Sequence, residues 1–310
     1  MRLDWSGECD MEAMVDKYGY WTAFGLECII EAMALINDLG GRGREVVSAQ
    51  REGAYRYWDP ETLKVDKAAE DLFIRKLQER GVQGVFLSEE ARRLELAGRE
   101  GGPDEAIYFV SDPFDGSLLY KRRIPAFWYT SLAIYGMDHR PRCAIVGDCI
   151  EWTIDFANEE QAFSGKVRDS QLVEVTESKP TGTTELSQAF IETYFMKPHY
   201  LYPTAVQYEP LFRQVKFILP NGGPGGFADV ARGKVDVYVA FKQPFVDVFP
   251  GLALAERAGA VVTTFEGEPV TFEDNLEQRY DLICSATRAL HEQVLTEIQR
   301  IRKGASHAAA

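Results

Sequence analysis

The stretch that decides the fold is "IYFVSDPFDGSLLY", residues 107–120, an apolar run that ends in two carboxylates, Asp112 and Asp115. Pro113 has no amide hydrogen to offer a neighbouring strand, so the chain is expected to leave its sheet at Asp112. Asp115-Gly116 then favours a tight turn. Both acids converge at a strand end, and their mutual repulsion is tolerated when a cation lies between them or when one keeps its proton. With no His or Cys close by, an all-oxygen donor set selects a hard ion such as Mg²⁺, Mn²⁺ or Ca²⁺. Read alone, the same residues equally describe a capped turn at Asp112 with Asp115 in solvent.

Composition narrows what such a site serves. The chain has 310 residues, 45% of them hydrophobic and 12% aromatic, enough for one large domain or two medium ones. Its 48 acidic against 34 basic residues give a net charge of -14. That balance repels phosphate backbones, and no long basic run overrides it, so a nucleic acid polymer is excluded as a partner. Charged residues interrupt the first 30 positions and nowhere do 18 apolar residues follow one another, so neither a signal peptide nor a membrane span is expected and the cytoplasm is the expected location. The five cysteines, Cys9, Cys28, Cys143, Cys149 and Cys284, are scattered and odd in number, which predicts reduced, buried thiols.

Apolar spacing predicts helices over Trp21 to Leu39, Asp66 to Arg80 and Thr287 to Arg302, with a further helix in "FPGLALAERAGA" closed by Gly259. Strands are predicted at "GVFLSEE", at residues 106–110, 127–135 and 142–149, and at "FIETYF" and "VDVYVAF". Helices and strands alternate throughout, so the fold class is α/β or mixed α+β. The polar segment 174–187 is the candidate boundary between an N-terminal half, 1–178, and a C-terminal half, 179–303; residues 304–310 are expected to form a disordered tail.

Several chemistries fail on spacing. A calcium-binding EF-hand loop starting at Asp112 needs Glu where Arg123 stands. An aspartyl-nucleophile phosphatase needs an Asp where Pro113 stands, and no G-x-S-x-G elbow supports a serine hydrolase. The four histidines, His139, His199, His291 and His307, read as surface or packing residues.

Company decides the matter. "VFLSEEARR" places Glu89-Glu90 at the end of another strand, "VDKAAE" places Asp66 at a helix start, and "QPFVDVFPGLALAERAGA" places Asp247 just before a helix. Each has a plain alternative, a solvated turn or a helix cap. In this order, together with "GKVDVY" at 233–238, they resemble the inositol monophosphatase superfamily of magnesium-dependent, lithium-sensitive phosphatases, over residues of about 21 to 290. The motif D-P-hydrophobic-D-G-T/S is matched by Asp112 to Ser117, and Asp247 with Gly251 and Ala258-Gly259 matches the later motif.

The resemblance implies a layered α-β-α-β-α sandwich, a homodimer and two or three Mg²⁺ ions, with Mn²⁺ as the substitute. It implies metal ligation by Glu89, Asp112, the Phe114 carbonyl, Asp115 and Asp247. Catalysis falls to Glu89 and Ser117, which would orient and deprotonate an ion-bound water, and to Asp66, which with Glu90 serves an extra ion or its surroundings. Substrate binding is implied for Asp115, Gly116, Ser117, Asp247, Gly222 and Gly223. The expected substrate is a small phosphate ester: inositol monophosphate or fructose 1,6-bisphosphate first, then 3'-phosphoadenosine 5'-phosphate or histidinol phosphate. A non-catalytic metal-dependent phosphate sensor is the alternative from another class. The chain departs from the family at Val246, at Phe249-Pro250, at Leu118-Leu119-Tyr120 and in "NGGPGG" (221–226); Ala240 stands where the namesake enzymes carry an acid touching the inositol ring. The triplet Lys121-Arg122-Arg123 is either a solvated surface or a site for a second phosphate.

Overall fold

The computed structural model describes residues 11–49 and 61–308, with side chains as far as Gly304. Helices α1 (Met11–Tyr18) and α2 (Tyr20–Leu39) lead to a short ribbon of β1 (Val46–Ser48) with β2 (Thr62–Leu63), and then to α3 (Lys64–Glu79). Strands β3 (Gln83–Ser88), β4 (Arg93–Ala97) and β5 (Ile107–Asp115) precede the short helix α4 (Ser117–Lys121). A meander follows: β6 (Tyr129–Gly136), β7 (Pro141–Asp148), β8 (Thr153–Ala157), β9 (Ala162–Arg168) and β10 (Gln171–Glu177). The remainder comprises β11 (Phe190–Glu192), the single turns α5 (Pro198–Leu201), α6 (Thr204–Gln207) and α7 (Glu209–Phe212), and β12 (Phe217–Leu219). Helix α8 (Gly223–Ala231), β13 (Val237–Pro244), α9 (Phe245–Ala258), β14 (Val261–Thr264), β15 (Arg279–Ser285) and α10 (Arg288–Ala308) complete it.

The described strands form two main sheets, ordered β10-β9-β8-β7-β6-β5-β3-β4 and β12-β11-β13-β15-β14. Alternation along the strands divides the core into three. Phe86, Phe109, Leu132, Ile134 and Ile145 face α2 and α3, whereas Val85, Val110, Ala133, Tyr135 and Val146 face α8 and α9. The opposite side of α8 and α9 meets Tyr238, Ala240, Leu282 and Cys284 of the second sheet. Its other face, with Val237, Val239 and Ile283, packs against Leu290, Val294 and Ile298 of α10. The layers therefore run helix, sheet, helix, sheet, helix, the mixed α/β sandwich anticipated from the sequence. Helix α9 is apolar on nearly every side because it lies between two sheets; truncating a ring such as Phe249 there would cost about 3–5 kcal/mol.

Four boundaries differ from expectation. The strand carrying the opening motif does not end at Asp112. Its pairing with β3 stops at Ser111, but pairing with β6 resumes through a bulge, so that Asp115 lies opposite Tyr129. Pro113 sits in the bulge, where no ladder donor is required. Asp247 does not precede its helix. The helix expected over "FPGLALAERAGA" starts earlier: α9 begins at Phe245 and places Asp247 in its first turn. "FIETYF" is a strand only as far as Glu192. The last helix runs on to Ala308, through part of the segment expected to be disordered, because an alanine-rich end propagates a helix already nucleated. Cys28, Cys143, Cys149 and Cys284 are free and buried, while Cys9 and residues 309–310 lie outside the described residues.

Candidate active site

The site begins at the bulge. Asp112 is 4% exposed, and its Oδ1 accepts a hydrogen bond from the Phe114 amide at 3.1 Å, which closes the bend around Pro113. Gly116 follows with φ of 102°, and a Cβ there would come within 2.2 Å of the Phe127 carbonyl oxygen. Only glycine allows this turn, and the turn starts α4 at Ser117. The Phe114 carbonyl remains on the inner side, 3.4 Å from Ser117 Oγ.

Helix α3 supplies the second group of residues. Asp66, 3% exposed, accepts the Leu63 amide at 2.6 Å through Oδ2 and the Ser117 hydroxyl at 2.5 Å through Oδ1. The cap and the catalytic reading of Asp66 thus coexist: the bond that starts the helix fixes the carboxylate that holds Ser117. One turn on, Glu70 accepts the Ala91 amide at 2.7 Å and also the Ser88 hydroxyl. It thereby clamps the turn that presents Glu89 and Glu90. The Thr62 hydroxyl donates to Glu90 at 2.6 Å, while Glu89 faces the cavity.

Asp247 enters from the opposite side, carried on α9 and 9% exposed, with Oδ1 buried and lacking a hydrogen-bond partner. Glu89, Asp112, Phe114, Asp115, Gly116, Ser117, Gly223 and Asp247 line one cavity of about 70 Å³. Burial pushes the Asp112 carboxyl well above the usual range, and the charges of Glu89, Asp247 and Asp115 raise it further. Burial likewise raises Asp247, followed by Asp115 and Glu89, with Arg279 giving partial relief. Among the described residues no three acidic, His or Cys side chains close into a finished single-ion cage. The acids instead ring the cavity, an arrangement suited to Mg²⁺, which keeps several waters and takes further oxygens from a phosphate. The orphaned Asp247 oxygen and the exclusively oxygen donor set fit such an ion.

Not every residue singled out from sequence reaches this cavity. Asp66 stands behind Ser117, and Glu90 is turned toward Thr62. Gly222 packs against Tyr194 and Tyr238, while Gly223, with φ of 62°, lines the cavity so closely that a Cβ would fall 2.6 Å from Asp115 Oδ2. Lys121 pairs with Glu61, and Arg122 and Arg123 are exposed; none of the triplet lines the cavity. The structure adds Tyr194, Lys197, Tyr200, Gln243 and Pro244, which sequence reasoning missed. They follow or end β11 and β13, whose carboxyl ends point the same way because the two strands are parallel. That is where open α/β sheets place ligands, and it was the available signal.

Two acid-bearing strand and turn ends, a serine held by a buried aspartate and a helix-borne aspartate thus meet at one cavity between the two sheets. A model described as the inositol monophosphatase family matches residues 25–303, and the chain belongs to that family. Among curated relatives, Inositol-1-monophosphatase of Bacillus subtilis (strain 168) is 23% identical over 240 residues, covering 77% of this chain and 83% of its own. Fructose-1,6-bisphosphatase/inositol-1-monophosphatase of Methanothermobacter thermautotrophicus is 22% identical over 292 residues, covering 91% of this chain and 98% of its own. Among solved structures, the extragenic suppressor protein suhB of Bartonella henselae superposes with a TM-score of 0.71 at 17% identity, over 89% of this chain and 96% of that one. The Thermotoga maritima IMPase gives 0.69 at 18% identity, over 91% and 97%. At these identities the structural likeness speaks for the fold.

Proposed function

We propose that this chain hydrolyses a small phosphorylated alcohol, using water activated by Mg²⁺ held on Glu89, Asp112, the Phe114 carbonyl, Asp115 and Asp247. When bound, the ions would acidify that water and neutralise the leaving oxygen. The chain's own part rests on the Ser117 to Asp66 hydrogen bond, the observation that carries the reading. Because the Ser117 hydroxyl donates to Asp66, the lone pairs of Oγ are left to accept a hydrogen bond from a water in the cavity and orient it, while the proton itself would pass to a carboxylate. Glu89 lines the same cavity and is the second acceptor. Backbone groups at Gly116, Ser117 and Gly223 border the space a phosphate would fill; the Gly223 amide itself is bonded to the Tyr238 hydroxyl at 3.0 Å.

Inositol monophosphate and fructose 1,6-bisphosphate head the substrates to be tried, since these compounds stand in the relatives' names. Further parts of this reading are Mn²⁺ as a substitute ion, inhibition by Li⁺, a homodimeric assembly, a cytoplasmic location and the division at residue 178. Among the described residues no helix is long and apolar enough to cross a membrane. The deciding experiment is phosphate release from a panel of esters with Mg²⁺ or EDTA. Release from at least one, abolished by EDTA, is expected; silence across a wide panel by a protein that still binds Mg²⁺ would overturn the catalytic reading.

A further inference from the structure

We propose that Gln243 sets the alcohol specificity of this site, its carboxamide binding a free hydroxyl on the carbon next to the ester carbon of the substrate. This rests on the phosphomonoesterase reading above and assigns a residue that no step of that reading uses.

Gln243 owes its place to an irregularity in β13. Along this strand Tyr238 and Ala240 face α8 and α9, whereas Val237, Val239 and Phe241 belong to the layer that packs with α10. Strict alternation would bring Lys242 to the inner face next and turn Gln243 away from it. The pairing with β15 instead shifts by one residue, so that Ala240 lies opposite Leu282 and Gln243 opposite Tyr280. Lys242 takes the extra place, with φ of 52°, its amide donating to Asp281 Oδ1 at 2.8 Å and its side chain exposed. The bulge thus sends an ammonium to solvent and puts a carboxamide on the inner face, where it lines the acid-ringed cavity.

Gln243 is 4% exposed, yet among the described residues its carboxamide makes no hydrogen bond. A buried amide left unpaired is costly, so one at the wall of a cavity is paired from the cavity side. Other polar groups on this wall have partners: the Ser117 hydroxyl donates to Asp66 and the Gly223 amide to the Tyr238 hydroxyl. The carboxamide carries an N–H₂ donor and a C=O acceptor together. Phosphate oxygens would use the donor alone and a Mg²⁺ ion the acceptor alone, each leaving the other half unpaired. Hydroxyls accept and donate, so those of an alcohol satisfy either end. Asp112 and Asp115 come from the first sheet and Gln243 from the second, so a phosphate held at the former directs its alcohol toward the latter. A cavity of about 70 Å³ holds little beyond a phosphate and the atoms next to it, which makes the neighbouring hydroxyl the one within reach.

Two matched pairs of esters isolate this hydroxyl: trans-2-hydroxycyclohexyl phosphate with cyclohexyl phosphate, and glycerol 2-phosphate with propan-2-yl phosphate. With Mg²⁺, kcat/KM of the wild type is expected to be at least about tenfold higher for the hydroxylated member of each pair. Gln243→Met keeps the length of the side chain and loses both polar ends. In it the preference should fall to within about twofold, with little change on the members that lack the hydroxyl. Gln243→Asn, which carries the amide on a shorter arm, should keep an intermediate preference. A merely structural role would instead lower all four rates together. Thermal melting of each variant verifies folding, and the wild-type comparison needs no variant. Equal rates within the pairs in the wild type, or an undiminished preference in Gln243→Met, would overturn the proposal. Magnesium-dependent release from the ester panel above with none from the hydroxylated members would also overturn it, while leaving the phosphomonoesterase reading standing. Release from neither the panel nor the pairs would remove that reading and this inference with it.

Discussion

Two clusters of buried carboxylates occupy the space around the central helix pair, and they treat their charge in opposite ways. In one, Asp155 of β8 and Asp229 of α8 flank Arg232, whose guanidinium lies 3.2 Å from the first and 2.7 Å from the second. In the other, Asp112 and Asp247 face each other with Glu89 and Asp115 nearby, and the acids themselves are the main charges they meet. The first cluster carries its own cation and lines no part of the acid-ringed cavity; the second opens on that cavity. Buried acid alone is therefore no sign of catalysis. Acids that meet chiefly other acids, at the wall of a cavity, are what the proposed ion site would require.

The largest effect that would break this comparison is kinetic. Asp115→Asn keeps the shape of the site and removes one charge that the ions require, so turnover should fall by about 10³-fold or more. The fold should survive, because a repulsive charge has been deleted. Steady-state phosphate release and thermal melting of the same preparation check both halves, and near-normal turnover would sink the site assignment. The converse substitution, Arg232→Met, strands two buried carboxylates. It should cost about 3–5 kcal/mol of stability in urea unfolding while leaving turnover per folded molecule near wild type. A loss below about 1 kcal/mol would mean that Arg232 is not the counter-charge that holds this cluster together.

A third effect is smaller and depends on pH. The carboxyls of Asp112 and Asp247 sit well above their usual range, chiefly through burial. A raised carboxyl favours folding most when protonated, at low pH, and that contribution is lost as pH rises through the raised pKa. Ions must displace the same protons to bind. The melting temperature without ions should therefore fall with rising pH relative to that with Mg²⁺, so that the gap between the two widens upward. Scanning calorimetry with Mg²⁺ or EDTA at each pH measures this, and a gap that narrows upward would contradict the assignment.

The same contrast explains what could be read before the structure. The "DPFDGS" motif, Glu89 and Asp247 were legible because their types, order and strand-end positions are local properties of the chain, and so was the alternation that yields the layers. The extent of β5 was not, because whether a chain survives a proline depends on which neighbouring strand needs the missing donor. Here that requirement falls away in the bulge beside β6. Glu70 carries no local signal in "VDKAAE", and only the fold brings the Ser88 and Ala91 donors to it. Tyr194 and Lys197 belong to an aromatic segment with no motif, and their place at the site follows from the parallel alignment of β11 and β13. Arg232 and Asp155, 77 positions apart, showed nothing at all in sequence.

The smallest effect asks whether the arginine-bearing cluster is fully compensated. Burial raises the Asp155 carboxyl to about 6 even though Arg232 and the Ser164 hydroxyl oppose the shift. Ionising Asp155 is then harder in the fold than in the unfolded chain, where an aspartate titrates near 4. Its contribution to stability is present in full below about pH 4 and is lost as pH rises toward about 6. Asp155→Asn cannot ionise and lacks that slope. Between pH 6 and pH 4 the wild type should therefore gain on the order of 1–2 kcal/mol relative to the variant, measured as the difference in urea midpoints at each pH. Parallel curves would mean that Arg232 balances Asp155 completely, and the two clusters would then differ in kind. A slope as expected would make the difference one of degree, with the arginine cancelling most of a burial cost that, in the proposed function, the acids around the cavity leave for Mg²⁺ to cancel.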